Sequence, residues 1–189
     1  MPNEVEIKFV VSDLATLQAK LRAAGFREKT PRTHEMNVLY DLPGLPLRDR
    51  GEILRIRKYG DKWKLTHKAW ASGGKHKSRV ETETALAEGA ALEHIFKALG
   101  LGEVFRYEKY RSEWTDGDGE VVLDETPIGN LAEIEGEAAW IDRIATQLGV
   151  SERDYITKSY AELFREWKQR TGSKADAMTF AAVKADKNQ

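Results

Sequence analysis

Residues able to do chemistry recur in this chain as short alternating runs. They are Glu4-x-Glu6-x-Lys8, Arg55-x-Arg57, Lys64-x-Thr66-x-Lys68, Arg79-x-Glu81-x-Glu83, Lys109-x-Arg111 and Glu133-x-Glu135, with Asp124 between the last two. A spacing of two places the charged side chains of each run on one face of an extended strand. Lys and Arg so spaced on adjacent strands can surround phosphate oxygens from several sides. Carboxylates facing them are hard oxygen ligands for Mg²⁺ or Mn²⁺, which bridge to the same oxygens. A triphosphate carrying one or two divalent ions would balance both sets. Each run alone also reads as a solvated strand face, and only its return in six strands points to a ligand.

These runs need strands to carry them, and the chain supplies about eight. The first spans residues 3–11, and Ser12 is a candidate N-cap for a helix with Leu14, Leu17, Leu21 and Ala24 at helical spacing, closed by Gly25. An extended segment from Arg32 to Asp41 precedes a loop over Leu42–Gly51. A hairpin turning at Gly60-Asp61 then joins the Arg55/Arg57 strand to the Lys64/Lys68 strand. After the Arg79–Glu83 strand, Glu88–Leu99 reads as a helix. Strands over Phe105–Trp114, Val121–Asp124 and Leu131–Glu137 follow, and helices over about 138–148 and 152–170 close the domain. Residues 1–171 are thus expected to form one domain, and the small, polar, alanine-rich stretch 172–189 a loose tail with at most one short helix.

Eight strands with turns between them suggest an α+β fold, an eight-stranded antiparallel β-barrel with helices packed outside. The uncharged strand faces carry Val, Ile, Leu, Phe and Trp, and amphipathic helices can cover them. The charged faces then line the inside. Burying so many ions without a purpose would cost several kcal/mol each, so the lumen is expected to be wet and to bind a polyanion through a metal.

Composition narrows the alternatives. Thirty Lys and Arg against 31 Asp and Glu leave a net charge of -1, without the basic excess of a nucleic-acid-binding surface. The absence of cysteine removes disulfides and thiolate metal sites. No apolar run is long enough to span a bilayer and no targeting segment is evident, so a cytoplasmic protein without membrane contact is expected; a homodimer stays open. Gly73–Ser78 lacks the spacing of a phosphate loop, and Asp116-Gly117-Asp118-Gly119 reads as a hairpin turn rather than a calcium loop, because Pro127 stands where the closing acid is needed.

The ordered set from Glu4-x-Glu6-x-Lys8 to Glu133-x-Glu135 resembles the CYTH superfamily, the triphosphate tunnel metalloenzymes, over Glu4 to about Tyr160. Val38-Leu39-Tyr40-Asp41, Leu123-Asp124 and Glu133-Ile134-Glu135 look most like its class IV adenylyl cyclase-like bacterial branch. The resemblance implies metal-side carboxylates at Glu4, Glu6, Asp124, Glu133 and Glu135, helped by Glu81. It implies a phosphate clamp of Lys8, Arg55, Arg57, Lys64, Arg79, Lys109 and Arg111, with Lys68 the candidate catalytic residue. Lys158, before Ser159-Tyr160, resembles a further basic residue that the family places near the tunnel from its last helix. The implied substrate is ATP, inorganic triphosphate or thiamine triphosphate. The His-Phe pair that precedes the first acidic motif in the family's cyclases has no counterpart here, so the resemblance leaves adenylate cyclase and triphosphate phosphohydrolase both open. A non-catalytic polyphosphate or nucleotide sensor is the reading from another class.

Overall fold

Eight strands close into one barrel in the order β1-β5-β4-β3-β2-β6-β7-β8, with every neighbouring pair antiparallel. They are β1 (Asn3–Val10), β2 (Arg27–Asp41), β3 (Ile53–Tyr59), β4 (Lys62–Ser72), β5 (Lys77–Leu86), β6 (Gly102–Thr115), β7 (Glu120–Thr126) and β8 (Gly129–Glu135). The helices are α1 (Leu14–Ala23), α2 (Pro46–Asp49), α3 (Gly89–Ala98), α4 (Ala138–Leu148), α5 (Tyr160–Thr171) and α6 (Phe180–Lys187). This architecture comes from a computed structural model, which describes residues 3–72 and 74–187. It is the α+β barrel that the alternating runs predict. No helix among the described residues is long and apolar enough to cross a membrane.

Most of the apolar core lies outside the barrel wall. Ile7 and Phe9 of β1, Val121 and Leu123 of β7 and Ile134 of β8 face outward, where Leu17 and Leu21 of α1 and Ile141, Ile144 and Leu148 of α4 cover them. Strand residues at a period of two thus meet helix residues at a period near 3.6, which leaves the other strand face for the lumen. On another flank Phe96 of α3 packs on Val38, Tyr40 and Ile56.

Local chemistry moves some element ends from where the sequence predicts them. The N-cap of α1 is Asp13 rather than Ser12, its carboxylate accepting from the Ala15 amide at 3.0 Å. Strand β2 starts at Arg27, upstream of the expected Arg32, because its pairing with β6 tolerates register shifts around Pro31, which has no N–H to give. The helix expected over 152–170 is broken. A 3₁₀ turn at Glu152–Asp154 is followed by extended chain, and α5 begins only at Tyr160, where Ser159 and Glu162 form a capping box.

That extended segment has a structural use. Strand β1 pairs with β5 only through Asn3–Glu6, so the backbone of Lys8 is left over on that side, and Ile156 satisfies both of its polar groups at 3.0 and 2.8 Å. Strand β6 likewise pairs with β7 only from Tyr110 onward, and Met178 exchanges hydrogen bonds with Arg106 and Glu108 on the remaining edge. Within the stretch 172–189, expected as a loose tail, residues 173–187 therefore dock on the barrel. Met178 is fully buried and Val183 nearly so, against Tyr107, Tyr160 and Trp167. The short helix allowed for in the tail is α6.

Candidate functional site

The lumen is a cavity of about 1130 Å³ walled by the inward residues of the barrel strands and by the first turn of α5. Register decides which charges meet. Lys8 lies opposite Glu133, and Glu6 opposite both Glu135 and Lys77. Across β6 and β7, Arg111 lies opposite Asp124; across β4 and β5, Lys68 lies opposite Glu81 and Thr66 opposite Glu83.

The acidic end centres on Glu6, Glu133 and Glu135, each offering a carboxylate oxygen within 4.8 Å of the other two. Three hard oxygen donors at that separation suit a divalent ion of the Mg²⁺ or Mn²⁺ kind. Cations already compensate the group. Lys8 Nζ donates to Glu6 at 2.7 Å and stands 3.0 Å from Glu133; Lys77 Nζ reaches Glu6 at 2.6 Å; Arg111 reaches Glu133 at 2.5 Å. Burial pushes the Glu6 carboxyl up, but Lys8, Lys77 and Lys68 outweigh it together with the like charge of Glu133, and the group falls to about 2. Burial opposes ionisation of Glu133 as well, and Arg111, Lys8 and Lys109 hold it well below the usual carboxylate range. Both are therefore ionised near neutral pH and ready to ligate. Burial lowers the Lys77 ammonium below the usual lysine value, Lys8 adds to the effect, and Glu6 offsets only part of it.

The basic wall stands beside this group. Arg111 forms a bidentate pair with Asp124, Nε at 2.8 Å and Nη2 at 2.6 Å, and Lys109 Nζ donates to the same carboxylate at 3.0 Å. The Tyr160 hydroxyl donates to Asp124 at 2.5 Å. Burial, with Asp124 and Glu133 close by, keeps that phenol protonated far above its ordinary value, so it remains a donor. Glu35 of β2, wholly buried, faces Lys109 at 3.6 Å, Arg111 at 3.9 Å and Arg57 at 4.0 Å. Burial would raise its pKa, but these cations bring it down to about 2. Further along, Arg57 pairs with Glu83 at 3.0 Å, Lys64 pairs with the same carboxylate, and Lys68 pairs with Glu81 at 2.8 Å. Arg55 donates to the Tyr107 hydroxyl and to Thr66, and Arg79 donates to the Gly51 carbonyl at 3.1 Å.

The expected site residues thus fall into four groups. Glu6, Lys8, Arg55, Arg57, Lys64, Lys68, Arg79, Glu81, Lys109, Arg111, Glu133 and Glu135 all border the one cavity. Asp124, expected with the metal carboxylates, is fully buried behind the basic wall, held by Lys109, Arg111 and Tyr160, and is not one of the three clustered carboxylates. Lys158 is half-exposed and pairs with Glu166 at 2.6 Å, away from the cavity lining. The backbone of Glu4 pairs opposite Arg79, while its side chain lies outside the described residues. Glu137, at the end of the last acidic run, caps α4 by accepting from Ala139 and Trp140.

Glu35, Lys77, Tyr160 and Arg165 border or support the site without having been picked out from the sequence. Lys77 was legible, because it continues the Arg79-x-Glu81 alternation by one step. Glu35 shares its parity with Asn37 on β2 and sits opposite Lys109; only the register reveals it. Tyr160 and Arg165 come from a helix, where no alternation could mark them.

Comparison with known proteins agrees with this geometry. The chain is 28% identical over 171 residues to a Methanocaldococcus jannaschii protein described as "putative adenylate cyclase", the match covering 85% of this chain and 97% of that one. A solved structure from Pyrococcus horikoshii superposes with a TM-score of 0.73 at 26% identity, covering 86% of this chain and 98% of that one. A Hippeastrum protein, described as a "putative adenylyl cyclase" that "reveals a dominant" triphosphatase activity, shares the fold at a TM-score of 0.63 and 18% identity, covering 86% and 95%. The CYTH domain model matches residues 2–160. With that match across most of its length, the chain belongs to the CYTH domain family.

Proposed function

We propose that this protein is a divalent-metal-dependent enzyme that cleaves a phosphoanhydride bond of a triphosphate held in the barrel lumen, most simply by hydrolysis. The observation that carries this reading is the juxtaposition, in one cavity, of three clustered carboxylates with a wall of Lys and Arg. Glu6, Glu133 and Glu135 would hold Mg²⁺ or Mn²⁺. When bound, such an ion would supply positive charge to offset that of the phosphate oxygens.

The chain's own residues do the rest. Arg55, Arg57, Lys64, Arg79, Lys109 and Arg111 grip the phosphate oxygens from several strands, and their positions are fixed by register rather than by loops. Asp124, Glu35 and Tyr160 brace Lys109 and Arg111 from behind, so little reorganisation is needed when the anion enters. In hydrolysis a water oxygen bonds to the terminal phosphorus while the bridging P–O bond breaks. The diphosphate part of the substrate departs, as pyrophosphate from inorganic triphosphate or ADP from ATP, and the water's protons pass to the phosphate and diphosphate products. Lys68, which borders the lumen beside Glu81, balances the charge that builds on the leaving oxygen.

Cyclisation is the second reading, in which a ribose 3′-hydroxyl attacks the α-phosphorus and pyrophosphate leaves. It is favoured by the names of the relatives and by the apolar stretch of the cavity wall at Leu39, Leu45, Ile53 and Phe105, where an organic group could sit. The Hippeastrum protein's reported activity favours hydrolysis, although at its identity only the fold is shared.

Incubation with ATP, inorganic triphosphate and thiamine triphosphate under Mg²⁺ or Mn²⁺, with separation of cyclic AMP, pyrophosphate and phosphate, distinguishes the two. Phosphate from a triphosphate supports hydrolysis, and cyclic AMP from ATP supports cyclisation. Tight triphosphate binding without turnover would overturn both in favour of a sensor.

A further inference from the structure

Two ammonium groups share one oxygen of Glu6. Lys8 Nζ lies 2.7 Å and Lys77 Nζ 2.6 Å from Glu6 Oε1, so one carboxylate of the three-acid group is already charge-balanced without any added ion. The two lysines are held differently. Lys8 is clamped between Glu6 and Glu133 with its side chain 3% exposed, lies over the Tyr160 ring, and has its backbone tied to Ile156. Lys77 is the first residue of β5, has its side chain 11% exposed, and contributes a single ion pair to the acidic group. A divalent ion taking up Glu6 must displace a cation from it, since three cations around one carboxylate repel strongly at such distances. Lys77 is the one with the fewer ties.

We propose that Lys77 is a built-in place-holder for the divalent ion, which yields Glu6 when the ion enters and then serves the substrate as a phosphate ligand. This rests on the metal site proposed above. The displaced ammonium stays in a lumen it already borders together with Lys68 and Arg79. It would thereby exchange a carboxylate for a phosphate oxygen, a bond of the same charge-assisted kind. The consequence is coupling. Ion and anion each bind better when the other is present, because the anion gives the displaced lysine a partner, and this coupling is reciprocal.

The test is binding rather than turnover. Mn²⁺ affinity is measured by the loss of the free-ion electron paramagnetic resonance signal, with and without tripolyphosphate, for the wild type, Lys77→Met and Lys77→Arg. Without the anion, Lys77→Met is expected to bind Mn²⁺ about tenfold more tightly than the wild type, within the usual range of coupling between sites. With Mn²⁺ present, its tripolyphosphate affinity should fall by about tenfold, the scale of one charge-assisted hydrogen bond. Lys77→Arg, which keeps the charge, should stay near the wild type in both. Unchanged or weakened Mn²⁺ binding in Lys77→Met overturns the proposal, as does a Lys77→Arg protein that behaves like Lys77→Met. An inactive protein that shows the expected pattern supports Lys77 while removing the enzymatic reading. A wild type that takes up no Mn²⁺ overturns both.

Discussion

Lys8 and Glu133 stand directly across from one another on β1 and β8, and their charged ends meet at 3.0 Å with both side chains almost wholly buried. The pair ties the first strand of the chain to the last strand of the barrel, so the seam that closes the sheet is also the place where acidic and basic halves of the lumen join. Its partners extend in both directions, from Lys8 to Glu6 and from Glu133 to Arg111.

Removing Lys8 should therefore be costly. Lys8→Met would leave Glu6 and Glu133 facing each other with less compensation, and breaking a buried pair from one side typically costs about 3–5 kcal/mol. Chemical denaturation is expected to show a loss of that order. A loss within experimental error would mean that the seam does not depend on this pair.

Glu35 should make stability depend on acid pH. Its carboxyl sits at about 2 when folded against an ordinary value of 4.5. The folded state thus binds fewer protons than the unfolded one between these values. Its contribution is present in full above about pH 4.5, on the order of 3 kcal/mol, and is lost as pH falls toward 2. Glu35→Gln is expected to be less stable than the wild type near neutral pH, with the gap narrowing as the medium becomes acid. A gap that does not change with pH would contradict this account.

The segment after Thr171 should be part of the folded unit. Ending the chain there would expose the Arg106 and Glu108 backbone groups now paired with Met178, and would uncover Tyr107 and Tyr160. Loss of the buried Met178 and Val183 alone predicts a destabilisation of about 3 kcal/mol or more. Because the Tyr107 hydroxyl accepts from Arg55 and the Tyr160 hydroxyl donates to Asp124, triphosphate binding should weaken as well. A truncated protein with unchanged melting temperature and binding would show that the segment merely rests on the surface.

How much of this was legible before the structure follows from periodicity. Alternation over two residues marks a strand and its charged face without any tertiary information, so Arg55/Arg57, Lys109/Arg111 and Glu133/Glu135 were readable together with the barrel they imply. Depth within the lumen is a different quantity. Asp124 and Glu133 both read as acids on an inward face, yet register puts Asp124 behind Arg111 and Glu133 beside Glu6. Lys158 shows the opposite limit, since the helix expected over about 152–170 begins only at Tyr160 and leaves Lys158 on the extended chain before it. Helical spacing marks Tyr160 only as an apolar position, although its hydroxyl donates to the fully buried Asp124.

The most direct test of the lumen as a metal-dependent triphosphate site pairs one variant from each half, Glu135→Gln and Arg57→Ala, in a turnover assay on triphosphates with Mg²⁺ or Mn²⁺. Glu135→Gln removes one of three ion-binding carboxylates and is expected to lower metal-dependent turnover by about a hundredfold or more, beyond the effect typical of residues that only support a ligand. Arg57→Ala removes a charged donor from the phosphate wall and should mainly raise KM, by about tenfold to a hundredfold. Unchanged activity in both variants would contradict the assignment of the lumen as the site.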